Sequence, residues 1–208
     1  MPTQALSASR IAEAAISLID QEGLAKLSMR KLGSALGVKA MSLYNHVSNK
    51  SEVLNLVHER LLTQLEVAAP SKDWRKPMEE TAWSFLALLK AHPQAIPLFA
   101  SRSAVSPGSA RVVDRCLGVL KATGLSQEEC FYTFQAFFSL VVGHAMFRYG
   151  PRDENSFIRP EVMANFPNLS TLGPELIQDG DAEFRFALNV FLSGLENCSS
   201  LQIKEQDP

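Results

Sequence analysis

The sequence predicts an all-α protein in two parts, a small N-terminal unit of three helices and a larger C-terminal helical domain. Three observations carry this. Apolar residues recur at three- and four-residue steps along segment after segment, the spacing that lays side chains on one face of a helix. Those segments open on Ser, Asn or Asp and close on Gly or Pro, which respectively cap and interrupt helical hydrogen bonding. Beyond residue 73 nothing alternates with the two-residue period of a strand.

The first helix takes its cap from Ser7 or Ser9, carries Ile11, Ala14, Ala15, Leu18 and Ile19 on one stripe, and stops at Gly23. Residues 27–50 describe two short helices joined by a tight turn. Ser28 can accept a hydrogen bond from an unpaired N–H of the second helix, and Leu27 and Leu32 occupy the positions of a hydrophobic staple. Gly37 supplies the left-handed residue at which such a helix ends. The third helix, Ala40 to Val47, buries Leu43 and Val47 and turns Lys39, Ala40, Met41, Ser42, Tyr44, Asn45 and His46 outward. An element this short holds only by packing. Asn49 and Glu52 have the spacing of a reciprocal cap, so a fourth helix starts there and runs through Leu54, Val57, His58, Leu61 and Leu65 to about residue 68. These boundaries divide the chain into residues 1–50, a connecting helix over 51–68, and a second domain over 69–208.

In that domain Asp73 caps a helix bearing Trp74, Ala82, Phe85 and Leu89 that ends at His92-Pro93. A short helix over 94–99, a Ser-rich connection and a helix from Ser106-Pro107 to Gly124 follow. Ser126 and Glu129 form a capping box for a helix reaching Gly150-Pro151. Apolar residues on nearly all of its sides require cover on nearly all sides. Residues 151–180, rich in Pro, Gly, Asn and Asp, read as a long excursion with one or two single-turn helices. Asp181 starts the last helix, and the tail after Asn197 is polar. One copy cannot easily surround both long helices. Two copies can, as an intermolecular four-helix bundle with Phe131, Phe134, Phe138, Val142, Phe184, Leu188, Phe191 and Leu195 at a homodimer interface.

The major groove of DNA admits one α-helix and displays donors, acceptors and thymine methyls, so the outward face of the third helix suits a reader. Residues 1–50 hold six basic and three acidic side chains, against fourteen and nineteen in the rest, which puts positive charge where phosphates would be met. The pattern R-K-L-x-x-x-L-G-V-x-x-x-x-L-Y-x-H-V-x-N-K, from Arg30 to Lys50, resembles the helix-turn-helix of TetR-family transcriptional repressors. The Asp-Trp-Arg and His-Pro-x-x-x-Pro-Leu-Phe segments look like a TetR-type effector domain. The resemblance implies dimerisation through the last two long helices, a palindromic double-stranded operator, and a cavity in the second domain whose small apolar or amphipathic effector releases DNA.

Lys39, Ala40, Met41, Ser42 and Asn45 are expected to contact bases, and Ser28, Arg30, Tyr44, His46 and Lys50 to hold phosphates. Trp83, Phe85, Leu89, Phe99, Phe137, His144 and Arg148 are the candidate effector lining. His144 and Arg148 lack a third partner, so no metal is expected, and nothing implies a cofactor. Cys116, Cys130 and Cys198 are odd in number and widely spaced, which reads as reduced thiols. The start carries no basic region followed by an apolar core, and no apolar run approaches the roughly 18 to 20 residues needed to span a bilayer, so a cytoplasmic location is expected. GxGxxG, P-loop, HExxH and GxSxG elements are missing, which argues against an enzyme. The rivals are a DNA-binding regulator without an effector, and a small-molecule enzyme or carrier.

Overall fold

In the computed structural model, which describes residues 5–101, 106–151, 165–171 and 179–205 and side chains as far as Cys198, the expected caps fix the N-terminal unit. Ser7 Oγ accepts from Arg10 N at 3.3 Å to open α1 (Ala8–Glu22). Ser28 Oγ accepts from Lys31 N at 3.3 Å to open α2 (Met29–Ala35). Asn49 Oδ1 accepts from Glu52 N at 3.0 Å to open α4 (Lys50–Leu62). The return bond from the Glu52 carboxylate goes to Ser48 N at 2.6 Å, one residue earlier than the reciprocal cap expects. Between them lies α3 (Ala40–Leu43). Its helical stretch is shorter than the expected Ala40–Val47 because Asn49 must be extended to cap α4, so residues 44–46 turn instead. Ile11, Ile19, Leu32, Leu43, Val53 and Val57 are fully buried and form the core of the unit.

The connecting helix also ends early. Past Leu62 the chain makes bonds of the tighter i→i−3 kind, Gln64 N to Leu61 O and Leu65 N to Leu62 O, yet Leu65 and Val67 stay buried. The second domain contains α5 (Arg75–Ala91), α6 (Ile96–Ser101), α7 (Pro107–Leu120), α8 (Gln127–Tyr149), the single-turn α9 (Pro167–Ser170) and α10 (Gly180–Glu205). The cap position of α5 falls on Trp74, one residue after the expected Asp73, whose Oδ1 still accepts from Arg75 N at 3.1 Å. The polar stretch after Asn197 continues α10 to Glu205. Most of the expected 151–180 excursion and the Ser-rich link at 102–105 lie outside the described residues.

At 23 residues, α8 is long and apolar enough to cross a membrane, which corrects the reading that no run reaches that length. It packs against α5, α6, α7 and α10. Lys90 Nζ and Tyr149 Oη both bond Asp181, at 2.9 and 3.0 Å, and so clasp the ends of α5 and α8 to the start of α10. Cys116 and Cys130 are buried and Cys198 is exposed, and burial pushes the Cys116 thiol up to about 12.

The expected dimer face needs correction. Phe134, Val142, Phe184, Leu188 and Leu195 are buried within the chain itself, and Phe138 and Phe191 are half-buried. Phe184 meets the edge of Trp83 and the ring of His144, each at 5.0 Å, so it has no surface left for a second copy. Of the expected residues only Phe131 is exposed. The outward stripes run instead through Tyr132, Ala136, Ser139, Gly143 and Phe147 on α8, and Phe186, Val190 and Gly194 on α10.

Candidate nucleic-acid interface

The reading element is presented by its neighbours more than by its own helicity. Leu43 (0 % exposed) and Val47 (2 %) anchor it from behind. Gly37 adopts φ 69°, as the turn requires, and Val38 N donates to Gly33 O at 2.9 Å to close the link from α2 to α3. Gly33 itself is buried against the start of α3. A Cβ there would lie 2.9 Å from Val38 O and 3.1 Å from Ala40 N. The sequence reading passed over Gly33. Its signal was available, because a glycine inside a helix costs about 1 kcal/mol relative to alanine and needs a reason.

Arg30, Lys39, Met41 (74 %), Tyr44 (47 %), Asn45 and His46 are exposed, and Ser28, Ala40, Ser42 and Lys50 are half-buried. All the expected base and phosphate residues thus keep at least part of their surface open to solvent. Ser28 spends one oxygen lone pair on its cap but keeps hydrogen-bonding capacity. Lys31 lies in the same segment but bonds Glu22, and that bond is the main reason the Glu22 carboxyl sits below its ordinary range. Arg10 donates to Ala5 O at 3.2 Å.

The expected effector residues do not converge on one spot. Phe85 meets Phe99 edge-on at 5.7 Å and Phe138 at 5.2 Å, all three between α5, α6 and α8. Trp83 and His144 meet instead over Phe184 of α10, with the Arg185 guanidinium 5.5 Å from the Trp83 ring. Phe137 faces Phe191 at 6.4 Å, Leu89 is fully buried, and Arg148 is paired with Glu183.

Burial holds the His144 imidazole below its ordinary pKa of 6.5, and its Nε2 is buried with no hydrogen-bond partner among the described residues. A histidine kept neutral by folding binds a proton more readily when unfolded. Its contribution to stability is therefore complete above about pH 6.5 and is lost as pH falls below that value. His144→Gln is expected to flatten the decline in melting temperature between pH 7 and pH 5, a window above the usual carboxylate titrations. Parallel declines in the two proteins would refute it.

Two family profiles match the chain: "Bacterial regulatory proteins, tetR family" over residues 11–57, and "Tetracyclin repressor-like, C-terminal domain" over residues 67–198. It is 29 % identical over 213 residues to the HTH-type transcriptional repressor DrrR1 of Streptomyces coeruleorubidus, covering 94 % of this chain and 79 % of the relative. It is 28 % identical over 200 residues to the class G tetracycline repressor protein of Vibrio anguillarum, covering 92 % and 94 %. Among solved structures, ActR of Streptomyces coelicolor in complex with actinorhodin superposes with a TM-score of 0.79 at 29 % identity, covering 91 % of this chain and 95 % of that one. Apo ActR gives 0.80 at 26 % identity, covering 94 % and 99 %.

Proposed function

The chain belongs to the tetR family of bacterial regulatory proteins and is a DNA-binding transcriptional repressor, and from that premise we propose that it acts as a cytoplasmic homodimer released from a palindromic operator by a small apolar or amphipathic molecule. The observation that supports the reading is that the α3 side chains other than Leu43, and the basic and hydroxyl groups of the neighbouring segments, are open to solvent while Leu43 and Val47 are buried behind them. Lys39, Ala40, Met41, Ser42 and Asn45 take the base edges. Ser28, Arg30, Tyr44, His46 and Lys50 take phosphates and set the register. Residues 1–50 are the reading domain, 51–68 the connection and 69–208 the effector and dimerisation domain.

A second copy covers the stripe from Tyr132 to Phe147 and the stripe from Phe186 to Gly194. Cβ atoms added at Gly143 and Gly194 would meet nothing within 4 Å, which leaves room for another helix to approach closely. Pairing through this face sets two reading helices about 34 to 36 Å apart, one turn of DNA. For the effector, the complex of ActR with actinorhodin supports a small-molecule ligand, which we assign to the second domain. The two clusters around Phe85 and around Trp83 and His144 are the sites where such a ligand would intercalate among rings, with Leu89, Phe137 and Arg148 at their margins. No step of this scheme asks the chain for catalysis.

Selection of bound duplexes from a random pool tests the reading directly, and is expected to return an inverted repeat. On the recovered duplex Asn45→Ala relaxes preference at one position of each half-site. Lys50→Ala instead weakens all sequences by a similar factor and flattens the salt dependence by about one charge. Equal and uniform losses for both variants across a randomised library would sink the division between base and phosphate contacts. A thermal-shift screen of small molecules identifies the effector by two effects together, a raised melting temperature and weakened DNA binding.

A further inference from the structure

The start of α7 has four backbone positions whose N–H groups find no acceptor within the helix, and all four are accounted for. Ser106 N donates to Ser109 Oγ at 2.8 Å, Ser109 N donates to Ser106 Oγ at 3.2 Å, and Pro107 has no N–H. The remaining donor, Gly108 N, goes to Oε2 of Glu59 on α4 at 2.9 Å. A carboxylate there makes a charge-assisted bond and meets the positive end of the helix dipole. Gly108 is shaped for it, since a Cβ would lie 2.6 Å from Glu59 Oε1. One residue earlier, buried His58 meets the Phe99 ring of α6 at 4.9 Å. The C-terminal half of α4 thus holds the second domain by two adjacent side chains, while its N-terminal residue follows directly from the reading turn.

We propose that Glu59 is the positioning residue that ties the setting of the reading domain to the first turn of α7. Loss of the Gly108 N–H to Glu59 bond removes one of these two ties and loosens the C-terminal half of α4 against α7. This rests on the DNA-binding reading above and names its regulation. A loosened α4 must be re-ordered when the reading helix docks, which weakens DNA binding. By linkage, DNA that fixes α4 must in turn steady the first turn of α7.

The test uses the full chain, a duplex recovered from the random pool, and Gly108→Ala, Glu59→Ala, Glu59→Gln and Gly108→Ala/Glu59→Ala proteins. Gly108→Ala pushes the carboxylate away while improving helix propensity, so it is expected to keep or raise the melting temperature. Gly108→Ala and Glu59→Ala should each weaken duplex binding about tenfold, and the double variant should be no weaker than either. Glu59→Gln, which retains an acceptor without the charge, should fall between wild type and Glu59→Ala. Exchange of the Gly108 amide, followed by NMR, should slow about tenfold when the duplex is added to wild type and stay unchanged in Glu59→Ala. Additive losses, wild-type or tighter binding by either single variant, or equal protection in both proteins would overturn the proposal. If wild type binds no duplex at all, the DNA-binding reading fails on its own. The Glu59 contact is then judged in the free protein, where Glu59→Ala should speed Gly108 exchange about tenfold and an unchanged rate refutes it.

Discussion

Gly33→Ala is expected to reduce operator binding by about a hundredfold or more while leaving the second domain folded. In an exposed helix interior the same substitution would stabilise by about 1 kcal/mol, because alanine loses less backbone freedom than glycine. Here the sign reverses. The added methyl carbon would sit 2.9 Å from Val38 O and 3.1 Å from Ala40 N, both backbone atoms that no rotamer change can move aside. The turn between α2 and α3 must open, and overpacking of this kind costs about 1 to 3 kcal/mol. Displacement matters more than stability, since a reading helix moved by a fraction of an ångström loses its base contacts together. Fluorescence anisotropy with the selected duplex measures the binding, and circular dichroism with thermal unfolding checks that helicity is kept. Wild-type affinity in Gly33→Ala would mean that the approach of α3 to α2 is not what positions the reader.

Phe186→Arg combined with Gly143→Arg is expected to turn the proposed dimer into a monomer, with a dissociation constant raised by at least about a thousandfold. Phe186 is 72 % exposed in the single chain, beside Val190 at 55 % and Phe147 at 69 %, and Gly143 opens onto empty space. Two guanidinium groups on each chain, of one sign and repeated by the two-fold, find no partner at the centre of a helical interface, and each carries a large desolvation cost. Neither change touches the core of one chain. Sedimentation should therefore show a folded monomer that binds a full operator no better than a half-site. Phe184→Ala gives the contrasting result. Its side chain is fully buried against Trp83 and His144, so its loss should lower the stability of each chain by about 3 to 5 kcal/mol. A persistent dimer in the charged double variant would relocate the interface.

These two experiments fall on opposite sides of what could be read from the chain. The N-terminal unit was legible because its determinants are local. Ser7, Ser28 and Asn49 each cap the helix that follows, and Gly23 and Gly37 take the positive φ values that end α1 and α2. The outward residues of α3 followed once Leu43 and Val47 were set inside. What was missed there, Gly33 and Glu59, depends on atoms brought from elsewhere in the chain, a carbonyl across the turn and an amide on α7. The second domain was legible as helices but not as faces. With apolar residues on nearly every side of α8, no periodicity distinguishes Phe134 and Val142, which face inward, from Tyr132 and Phe147, which do not. On α10 the stripe through Phe184 and Leu188 was found correctly, but it serves the chain's own core.

The shortness of α3 bears on how operators diverge. Its four residues are held by Leu43 beneath and by the backbone of the preceding turn, and the side chains of Met41, Tyr44 and Asn45 are exposed and make no hydrogen bond, ion pair or ring contact among the described residues. Natural variation at these positions is thus nearly free of folding penalties, while Gly33 and Leu43 are constrained. Descendants of such a protein can acquire new target genes by single substitutions, with the scaffold and its ligand response passing unchanged from one regulon to the next.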